Sequence, residues 1–107
     1  GIWARWPYFH NNSIPNLCAL LTKKELRPTT YYSGEALHPQ KDFDFDCNGY
    51  PTGKKTPSAW KQSVSLYDTK KLGLSNQGHD EGIFLKKGKE LLSEGQKKDL
   101  ILFLQTL

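Results

Sequence analysis

The stretch that decides how this sequence is interpreted is its first 21 residues, GIWARWPYFHNNSIPNLCALL. Its first ten residues hold two tryptophans, a proline, a Tyr-Phe pair and His10, whereas chain termini are usually polar and poorly ordered. Proline disfavours a helix at the residue before it, so residues 1–13 are expected to form a loop. Ser13 is then a good N-cap for a helix over residues 14–22, whose first turn tolerates Pro15.

The composition limits the chain to one small domain, or a fragment of one, over residues 1–107. Apolar residues make up 36% and the mean hydropathy is −0.66, both low for a self-sufficient globule, while the aromatic share of 12% is generous. We therefore expect part of the chain's order to come from a cofactor or from further polypeptide. No apolar run approaches the roughly 20 residues that cross a bilayer, so no transmembrane segment is expected. The sequence shows neither a secretory signal nor an initiator methionine, which leaves a processed or truncated chain as one interpretation.

The net charge of +4 comes from lysine doublets spread along the chain rather than from one stripe. A solvated lysine surface is the preferred interpretation, and docking to an acidic redox partner is the alternative. Nucleic-acid binding is not expected, because no recognised motif accompanies the charge. The sequence also lacks the G-x-S-x-G of serine hydrolases and a phosphate-binding glycine loop, and neither cysteine has a motif linking it to a histidine. These enzyme classes are therefore excluded.

The spacing of the two cysteines, Cys18 and Cys47, suits neither a C-x-x-C redox pair nor a zinc knuckle. In an exported chain we expect one disulfide between them. In a cytosolic chain two buried thiols are expected instead. The sequence leaves both alternatives open.

The remaining chain divides into an irregular stretch and a clear final helix. Residues 27–79 carry little periodicity and are punctuated by proline and glycine, with short strands predicted over residues 29–32 and 63–67. A structureless stretch this long is unusual in a compact domain, and it is easier to explain if it wraps a large rigid object. The later sequence SEGQ matches the capping box S-x-x-Q and precedes apolar residues at core-facing spacing. It therefore predicts a helix over residues 94–106.

A run of alternating aspartate and phenylalanine raises the question of a calcium site. Asp44, Asp46, Asn48 and Gly49 match the opening D-x-D-x-N-G of a calcium loop. The twelfth position requires a bidentate glutamate but holds Lys55, and no predicted helix flanks the loop, so an EF-hand is rejected. A looser calcium site remains as an alternative to a plain loop or edge strand.

The three histidines differ in their surroundings. His38 lies among turn signals and is interpreted as a surface residue. His10 follows the aromatic block, and His79 lies in NQGHDEG, where glycine lets the backbone approach a large flat ligand. Imidazole is a common ligand of iron, although each histidine taken alone is more often a polar loop residue.

Four short segments of this sequence form an ordered set. The first, WARWPYFHNNSIPNL, is followed by RPTTYYSG, by NQGHDEGIFL and by the closing FLQTL. In the same order and at approximately the same spacing they resemble the W-A-x-A-P-Y-L-H-N-G-S-V-P-T-L, R-P-x-x-F-x-x-G, N-x-G-H-x-F-G and Y-L-K-T-L segments of periplasmic c-type cytochromes. That group includes the di-haem peroxidases and the rubber-oxygenase-like cytochromes. The resemblance covers the C-terminal part of such a cytochrome domain.

The resemblance implies a mainly α, cytochrome c-like fold with long irregular loops and few or no short strands. It also implies one wall of a haem c pocket, with His79 as the distal axial ligand of the iron. His10 would order this pocket through hydrogen bonds. The other cofactor-contacting residues that the resemblance carries over are Trp3, Tyr8, Asn11, Asn76 and Gly78.

Three departures from the family's pattern shape what the resemblance implies. The chain has no C-x-x-C-H, so the remaining cytochrome polypeptide or a haem-bearing subunit would supply the haem attachment and the proximal histidine. The chain has no methionine to ligate iron, which favours histidine ligation or no ligation. Asn12 replaces a motif glycine, and asparagine tolerates the left-handed conformation better than most residues.

The leading hypothesis is therefore a part of an exported, periplasmic c-type cytochrome that serves electron transfer or peroxide or oxygen redox chemistry with a redox protein partner. Whether the chain belongs to an enzyme is left open; if it does, the enzyme is a haem-dependent oxidoreductase. The alternative is a haem-free interaction module that docks a protein partner through its aromatic and lysine-rich surface. A third hypothesis, an isolated calcium-binding domain, requires a melting temperature that depends on calcium.

Overall fold

The computed structural model describes residues 4–9, 11–35, 37–38, 40–62, 66–78 and 85–107. These residues hold two α-helices, α1 (Leu17–Leu20) and α2 (Glu94–Gln105), and four short strands, β1 (Thr30–Tyr32), β2 (Leu66–Asp68), β3 (Leu85–Lys86) and β4 (Lys89–Glu90). Three short 3-10 helices lie at Lys24–Leu26, Gly53–Lys55 and Ser58–Gln62. The strands pair into two antiparallel sheets of two strands each, β1 with β2 and β3 with β4.

The predicted mainly α, cytochrome c-like fold with few or no short strands is wrong. The described ranges hold only two helices, of which α1 is a single turn of four residues, together with two small antiparallel sheets and irregular loops. Local helical spacing predicted a helix over residues 14–22. The first of these residues are instead extended, because Asn16 pairs with Gly49 in a β bridge and the Pro15 carbonyl accepts from the amide of Tyr50 at 3.1 Å.

Helix α1 begins only after Asn16. The Asn16 side chain accepts a hydrogen bond from the amide of Ala19 at 2.9 Å, so Asn16 takes the N-cap role predicted for Ser13. Leu17 and Leu21 then form a buried cluster with Ile101 of α2. Removing these aliphatic side chains from water is the main favourable term that holds α2 on this part of the chain.

A disulfide joins α1 to the loop that precedes Gly49. Cys18 is bonded to Cys47, and the amide of Leu17 donates to the Cys47 carbonyl at 2.7 Å. Of the two alternatives that the sequence left open, the structure therefore has the disulfide. It closes a loop between residues 29 positions apart, which restricts the unfolded chain.

The final helix was predicted over residues 94–106 and is confirmed as Glu94–Gln105. Its capping box is reciprocal: the amide of Gln96 donates to the hydroxyl of Ser93 at 3.2 Å, and the amide of Ser93 donates to the side chain of Gln96 at 2.8 Å. Among the residues that the structure describes, no helix is long and apolar enough to cross a membrane.

The strand predicted over residues 29–32 is confirmed as β1. Its partner β2 begins at Leu66, and residues 63–65 of the second predicted strand lie outside the described residues. In the pairing, Tyr31 lies opposite Tyr67, and their rings stack with centroids 5.2 Å apart. Tyr31 also stacks on Tyr50 at 5.7 Å, so the stretch expected to wrap a rigid object packs aromatic rings against one another.

Candidate functional site

Residues 8–14, called here the 8–14 loop, are closed at their base by a β bridge. The amide of Tyr8 donates to the carbonyl of Ile14 at 2.6 Å, and the amide of Ile14 donates back at 3.2 Å. Within the loop, Phe9 and Asn12 take left-handed conformations with φ of 67° and 61°. Asn12 thus adopts the conformation expected of a residue that replaces a glycine. A left-handed phenylalanine is strained, and backbone strain is concentrated at functional sites.

Two tyrosines of the β1–β2 sheet hold the far end of this loop. The Tyr31 hydroxyl donates to the Asn12 carbonyl at 2.7 Å, and the Tyr67 hydroxyl donates to the Asn11 carbonyl at 2.6 Å. Burial, and then repulsion from Tyr50 and Tyr67 when they ionise, raises the pKa of Tyr31 well above its usual 10.0. The Tyr31 hydroxyl therefore keeps its proton, and remains a donor, at pH values just above 10.0 where an ordinary phenol ionises.

The 8–14 loop lies against residues 73–78, called here the 73–78 segment. The side-chain amide of Asn11 donates to the carbonyls of Gly73 at 3.2 Å and Ser75 at 2.9 Å. The ring of Phe9 lies so close to Gly78 that a Cβ on Gly78 would be 2.5 Å from its Cζ. Since Gly78 also has φ of 53°, the missing side chain serves both the left-handed backbone and the close approach.

A buried arginine joins the same segment to the rest of the fold. Arg27 is 3% exposed, and its Nη1 donates to the carbonyls of Asn76 at 2.8 Å and Gln77 at 2.7 Å. Its guanidinium carbon lies 5.6 Å from the centroid of the Phe9 ring, within the range of a cation–π interaction. Arg27 therefore contacts both the 8–14 loop and the 73–78 segment.

Three of the residues predicted to contact a cofactor, Asn11, Asn76 and Gly78, are thus brought together. Asn76 is buried, and its side-chain amide donates to the carbonyl of Pro28 at 2.8 Å. The two asparagine side chains hold backbone in place, which is a positioning role. Their contact with a cofactor stays a prediction.

Tyr8 belongs to the loop, but its hydroxyl is directed elsewhere. The side-chain amide of Asn48 donates to the Tyr8 hydroxyl at 2.8 Å. Burial raises the pKa of Tyr8, and the hydrogen bond from Asn48 offsets part of that rise. This phenol therefore ties the 8–14 loop to the loop that carries Cys47, and its predicted contact with a cofactor is untested.

Trp3, His10 and His79 lie outside the described residues, so the roles assigned to them stay predictions. In the sequence, His10 belongs to the 8–14 loop and His79 directly follows the 73–78 segment. The contacts described above therefore involve the sequence neighbours of both histidines.

His38 is exposed, and its interpretation as a surface residue is confirmed. Its Nδ1 accepts hydrogen bonds from the amides of Gln40 at 3.2 Å and Lys41 at 3.1 Å. A neutral imidazole that accepts at Nδ1 carries its proton on Nε2. His38 in this arrangement has no lone pair left for a metal ion.

The acidic loop uses its first carboxylate for internal contacts. Asp44 accepts from the amides of Asp46 at 3.1 Å and Cys47 at 3.2 Å, and the Lys55 ammonium lies 3.2 Å from its other oxygen. In the ranges that the structure describes, no group of three or more His, Cys, Asp and Glu side chains could hold a metal ion. A looser calcium site would therefore have to displace Lys55 from Asp44.

Covalent attachment of a haem c to this chain does not fit its chemistry. Both cysteines form the Cys18–Cys47 disulfide, so neither has a thiol for a thioether bond. The Ser13 hydroxyl is fully buried and has no hydrogen-bond partner among the described residues. Leaving a buried hydroxyl unsatisfied costs about 1–3 kcal/mol. Its partner is therefore expected in the undescribed part of the chain or on a group beyond it.

The junction of the 8–14 loop and the 73–78 segment is separate from the large surface cavity. That cavity, of about 700 Å³, lies between residues 40–46 and residues 51–59. Its lining includes no described residue of the loop or the segment. At the junction itself, Phe9 is partly exposed and Gly78 is exposed.

Residues 1–32 match the family model described as RoxA-like, cytochrome c-like. This part of the chain, which includes the 8–14 loop, is therefore related to cytochrome c-like proteins. The 73–78 segment and His79 lie beyond the matched residues. The resemblance of NQGHDEGIFL to a cytochrome segment therefore rests on the sequence pattern alone.

Two proteins of Sinorhizobium fredii, both described as uncharacterized, are similar to this chain. It is 36% identical to y4iJ over 80 residues, which are 75% of this chain and 12% of the relative. It is 31% identical to y4iM over an alignment of 112 positions that covers 99% of this chain and 25% of the relative. The chain thus spans a quarter or less of the length of these relatives. No solved structure matches it significantly.

Sequence reasoning missed Arg27 as a site residue. The sequence shows an arginine before Pro28 at the end of a helical pattern, and such an arginine is usually exposed. Its acceptors on Asn76 and Gln77 are 49 and 50 residues away, and no local pattern reports them. The pairing of Asp44 with Lys55 was also missed, although the first and twelfth positions of the rejected calcium loop are the residues that pair.

Proposed function

We propose that this chain is a haem-contacting part of a longer cytochrome c-related protein, in which the junction of the 8–14 loop and the 73–78 segment forms one wall of the haem pocket. The observation that carries the proposal is the contact between these two stretches, because both resemble cytochrome segments and they are far apart in the sequence. The family match over residues 1–32 supports the relation of the first stretch.

Within this proposal, His79 is the distal axial ligand, because it directly follows the segment that Arg27 and Asn11 hold. His10 supplies a hydrogen bond inside the pocket, for which the buried Ser13 hydroxyl is a candidate partner. A bound haem c would supply redox-active iron for electron transfer or for peroxide or oxygen chemistry. The chain's own residues orient the imidazole, exclude water with aromatic rings and leave covalent attachment to other polypeptide.

Export to the periplasm is part of the same proposal. The Cys18–Cys47 disulfide supports it, because disulfides persist in oxidising compartments and are rare in the cytosol. The remaining polypeptide or a haem-bearing subunit is then the main partner, and a redox protein is the second.

The alternative is a haem-free module that docks a protein partner. Exposed apolar side chains on α2 favour it, since Leu102 is 62% and Phe103 is 58% exposed. The intact protein distinguishes the two proposals by its mass and its absorption spectrum. A mass well above 12.2 kDa with a Soret band supports the cytochrome, whereas a stable monomer of 12.2 kDa without a Soret band supports the module.

A second measurement tests the ligand. In the haem-loaded intact protein, His79→Ala is expected to convert a six-coordinate low-spin spectrum to a high-spin one, because the imidazole is lost. His38→Ala is the matched control, since the Nδ1 of His38 is used by backbone amides. Retention of the low-spin spectrum in His79→Ala would remove His79 from the iron.

A further inference from the structure

The β3–β4 hairpin turns on two residues with left-handed backbone. Lys86 pairs with Lys89, so Lys87 and Gly88 form a two-residue connection, with φ of 53° and 76°. Two positive φ angles are what a type I′ turn requires, and its first position favours asparagine, aspartate or glycine. A lysine in this conformation is strained, because its Cβ crowds the following carbonyl. The turn therefore holds a lysine at its tip at a cost in local stability.

The same hairpin places like charges opposite each other. Lys86 lies directly across from Lys89, and like charges at opposite positions of two paired strands repel. Both side chains are exposed, and so is Lys87 between them. Two separate features of one short hairpin thus lower its stability, and both come from its lysines.

The two glutamates beside the hairpin both pair with one other lysine. Glu90 and Glu94 lie 3.0 Å and 3.3 Å from the Nζ of Lys97, whose side chain is only 11% exposed. These pairs also hold the first turn of α2 against β4. Residues 85–98 contain five lysines and two glutamates, and therefore carry a net charge of +3. Because both glutamates pair with the least exposed lysine, the excess positive charge lies on the exposed lysines of the hairpin and on Lys98.

An exposed leucine adjoins these charges. Leu91 directly follows β4 and is 52% exposed. At the other end of the hairpin, Leu85 is buried, so the base is packed against the protein while the tip lies in solvent. The hairpin thus combines a cationic tip with an apolar side chain, and these two signals together bind proteins to the surface of anionic bilayers.

We propose that the β3–β4 hairpin docks the protein on an anionic lipid bilayer, with the tip lysines at the phosphate headgroups and Leu91 at the edge of the acyl chains. This inference is independent of a haem. Anionic headgroups would relieve the repulsion between Lys86 and Lys89, which gives a reason for the unfavourable pair. A stable protein interface takes about 20–30 residues from each side, far more than this hairpin offers. A bilayer requires only charge and a shallow apolar anchor.

The first test is co-sedimentation of the intact protein with lipid vesicles. One set of vesicles is phosphatidylcholine alone, and the other contains phosphatidylglycerol as well. The wild-type protein is expected to bind only the anionic vesicles. Salt at about 1 M should release it, because the Debye length then falls to about 3 Å. Equal binding to both kinds of vesicle, or binding to neither, would overturn the proposal.

Replacing the tip lysines locates the binding. Lys86→Gln/Lys87→Asn/Lys89→Gln should weaken binding to the anionic vesicles about 100-fold, since each lysine near such a surface contributes about fivefold. The matched control is Lys54→Gln/Lys70→Gln/Lys71→Gln, which removes three exposed lysines from other loops and should bind as wild type. An equal loss in the two triple variants would show a general effect of net charge and would overturn the docking role of the hairpin.

The same hairpin variant should gain local stability while it loses binding. It removes the like-charge pair and places asparagine, which tolerates φ above 0°, at position 87. Hydrogen–deuterium exchange of residues 85–90 is therefore expected to slow, whereas lysines kept for structural reasons would give faster exchange when replaced. Faster exchange would contradict the proposal. The single variant Lys89→Gln, which leaves the turn unchanged, should still weaken vesicle binding about fivefold.

The leucine distinguishes a bilayer from an acidic protein partner. Leu91→Ser should weaken vesicle binding about fivefold, because less apolar surface leaves water, and should not change binding to soluble polyglutamate. Leu72→Ser is the matched control, since Leu72 is a fully exposed leucine in another loop. If Leu91→Ser binds vesicles as wild type, and the lysine variant loses binding to polyglutamate and vesicles alike, the hairpin binds an acidic protein and the bilayer is refuted.

Discussion

A single methyl group at Gly78 tests the contact between the 8–14 loop and the 73–78 segment. In Gly78→Ala, the new Cβ would lie 2.5 Å from Cζ and 2.7 Å from Cε2 of the Phe9 ring. Carbon atoms in favourable contact are about 3.5–4.0 Å apart, so either the ring or the segment must move by about 1 Å. Moving the ring disturbs its contact with Arg27, and moving the segment disturbs the bonds to Asn76 and Gln77.

The expected loss of stability has two parts. Alanine in the left-handed region costs about 1 kcal/mol relative to glycine, and Gly78 has φ of 53°. Overpacking adds about 1–3 kcal/mol, with the lower end expected here because a partly exposed ring can give. We therefore expect Gly78→Ala to lower the free energy of unfolding by about 2–3 kcal/mol.

Urea denaturation of the intact protein, followed by tryptophan fluorescence, measures this loss. The matched control is Gly53→Ala, because Gly53 has a similar φ of 58° but a Cβ there would meet nothing within 4 Å. Gly53→Ala should lower the free energy of unfolding only by the cost of the left-handed backbone, about 1 kcal/mol. In a Phe9→Leu background the extra cost of Gly78→Ala should shrink. Equal losses in Gly78→Ala and Gly53→Ala would refute the contact between Phe9 and Gly78.

Three further predictions concern the elements that support the site. Replacing Cys18 and Cys47 with serine should lower the free energy of unfolding by about 3–4 kcal/mol, from the entropy of the 29-residue separation, and an unchanged urea midpoint would contradict this. Burial raises the pKa of Tyr31, so the folded protein keeps this proton at pH values where the unfolded chain loses it. The free energy of unfolding should therefore hold below pH 10.0 and fall as the pH rises above that value. Tyr31→Phe should flatten that fall in unfolding experiments from about pH 8 to about pH 11, and an equally steep fall in both proteins would count against it. Calcium at millimolar concentration should leave the melting temperature unchanged, because Lys55 already pairs with Asp44, whereas Lys55→Ala is the variant in which a calcium-dependent shift is most expected.

The elements that the sequence predicted correctly are those encoded by local signals. Helix α2 has its capping box and its apolar spacing within one stretch, and both were recognisable. Strand β1 likewise follows from adjacent β-branched and aromatic residues. Helix α1 was predicted too long because Ile14 pairs with Tyr8 and Asn16 pairs with the distant Gly49, and local helical periodicity does not show these pairings.

The candidate site divides in the same way. The resemblance pointed to Asn11, Asn76 and Gly78, and the structure brings these residues to one junction. The groups that hold the junction, above all Arg27 and Tyr31, act through backbone carbonyls of distant residues. Any sequence supplies such carbonyls, so no residue pattern identifies which arginine or tyrosine will reach them.

We propose that His79 ligates a haem iron at a wall built by this chain. The most direct measurement is the absorption spectrum of the ferric intact protein in wild type, His79→Ala and His38→Ala. We predict a low-spin spectrum in wild type and in His38→Ala, and a high-spin spectrum in His79→Ala that added imidazole reverses. A protein without haem, or a low-spin spectrum that survives His79→Ala, would contradict the claim.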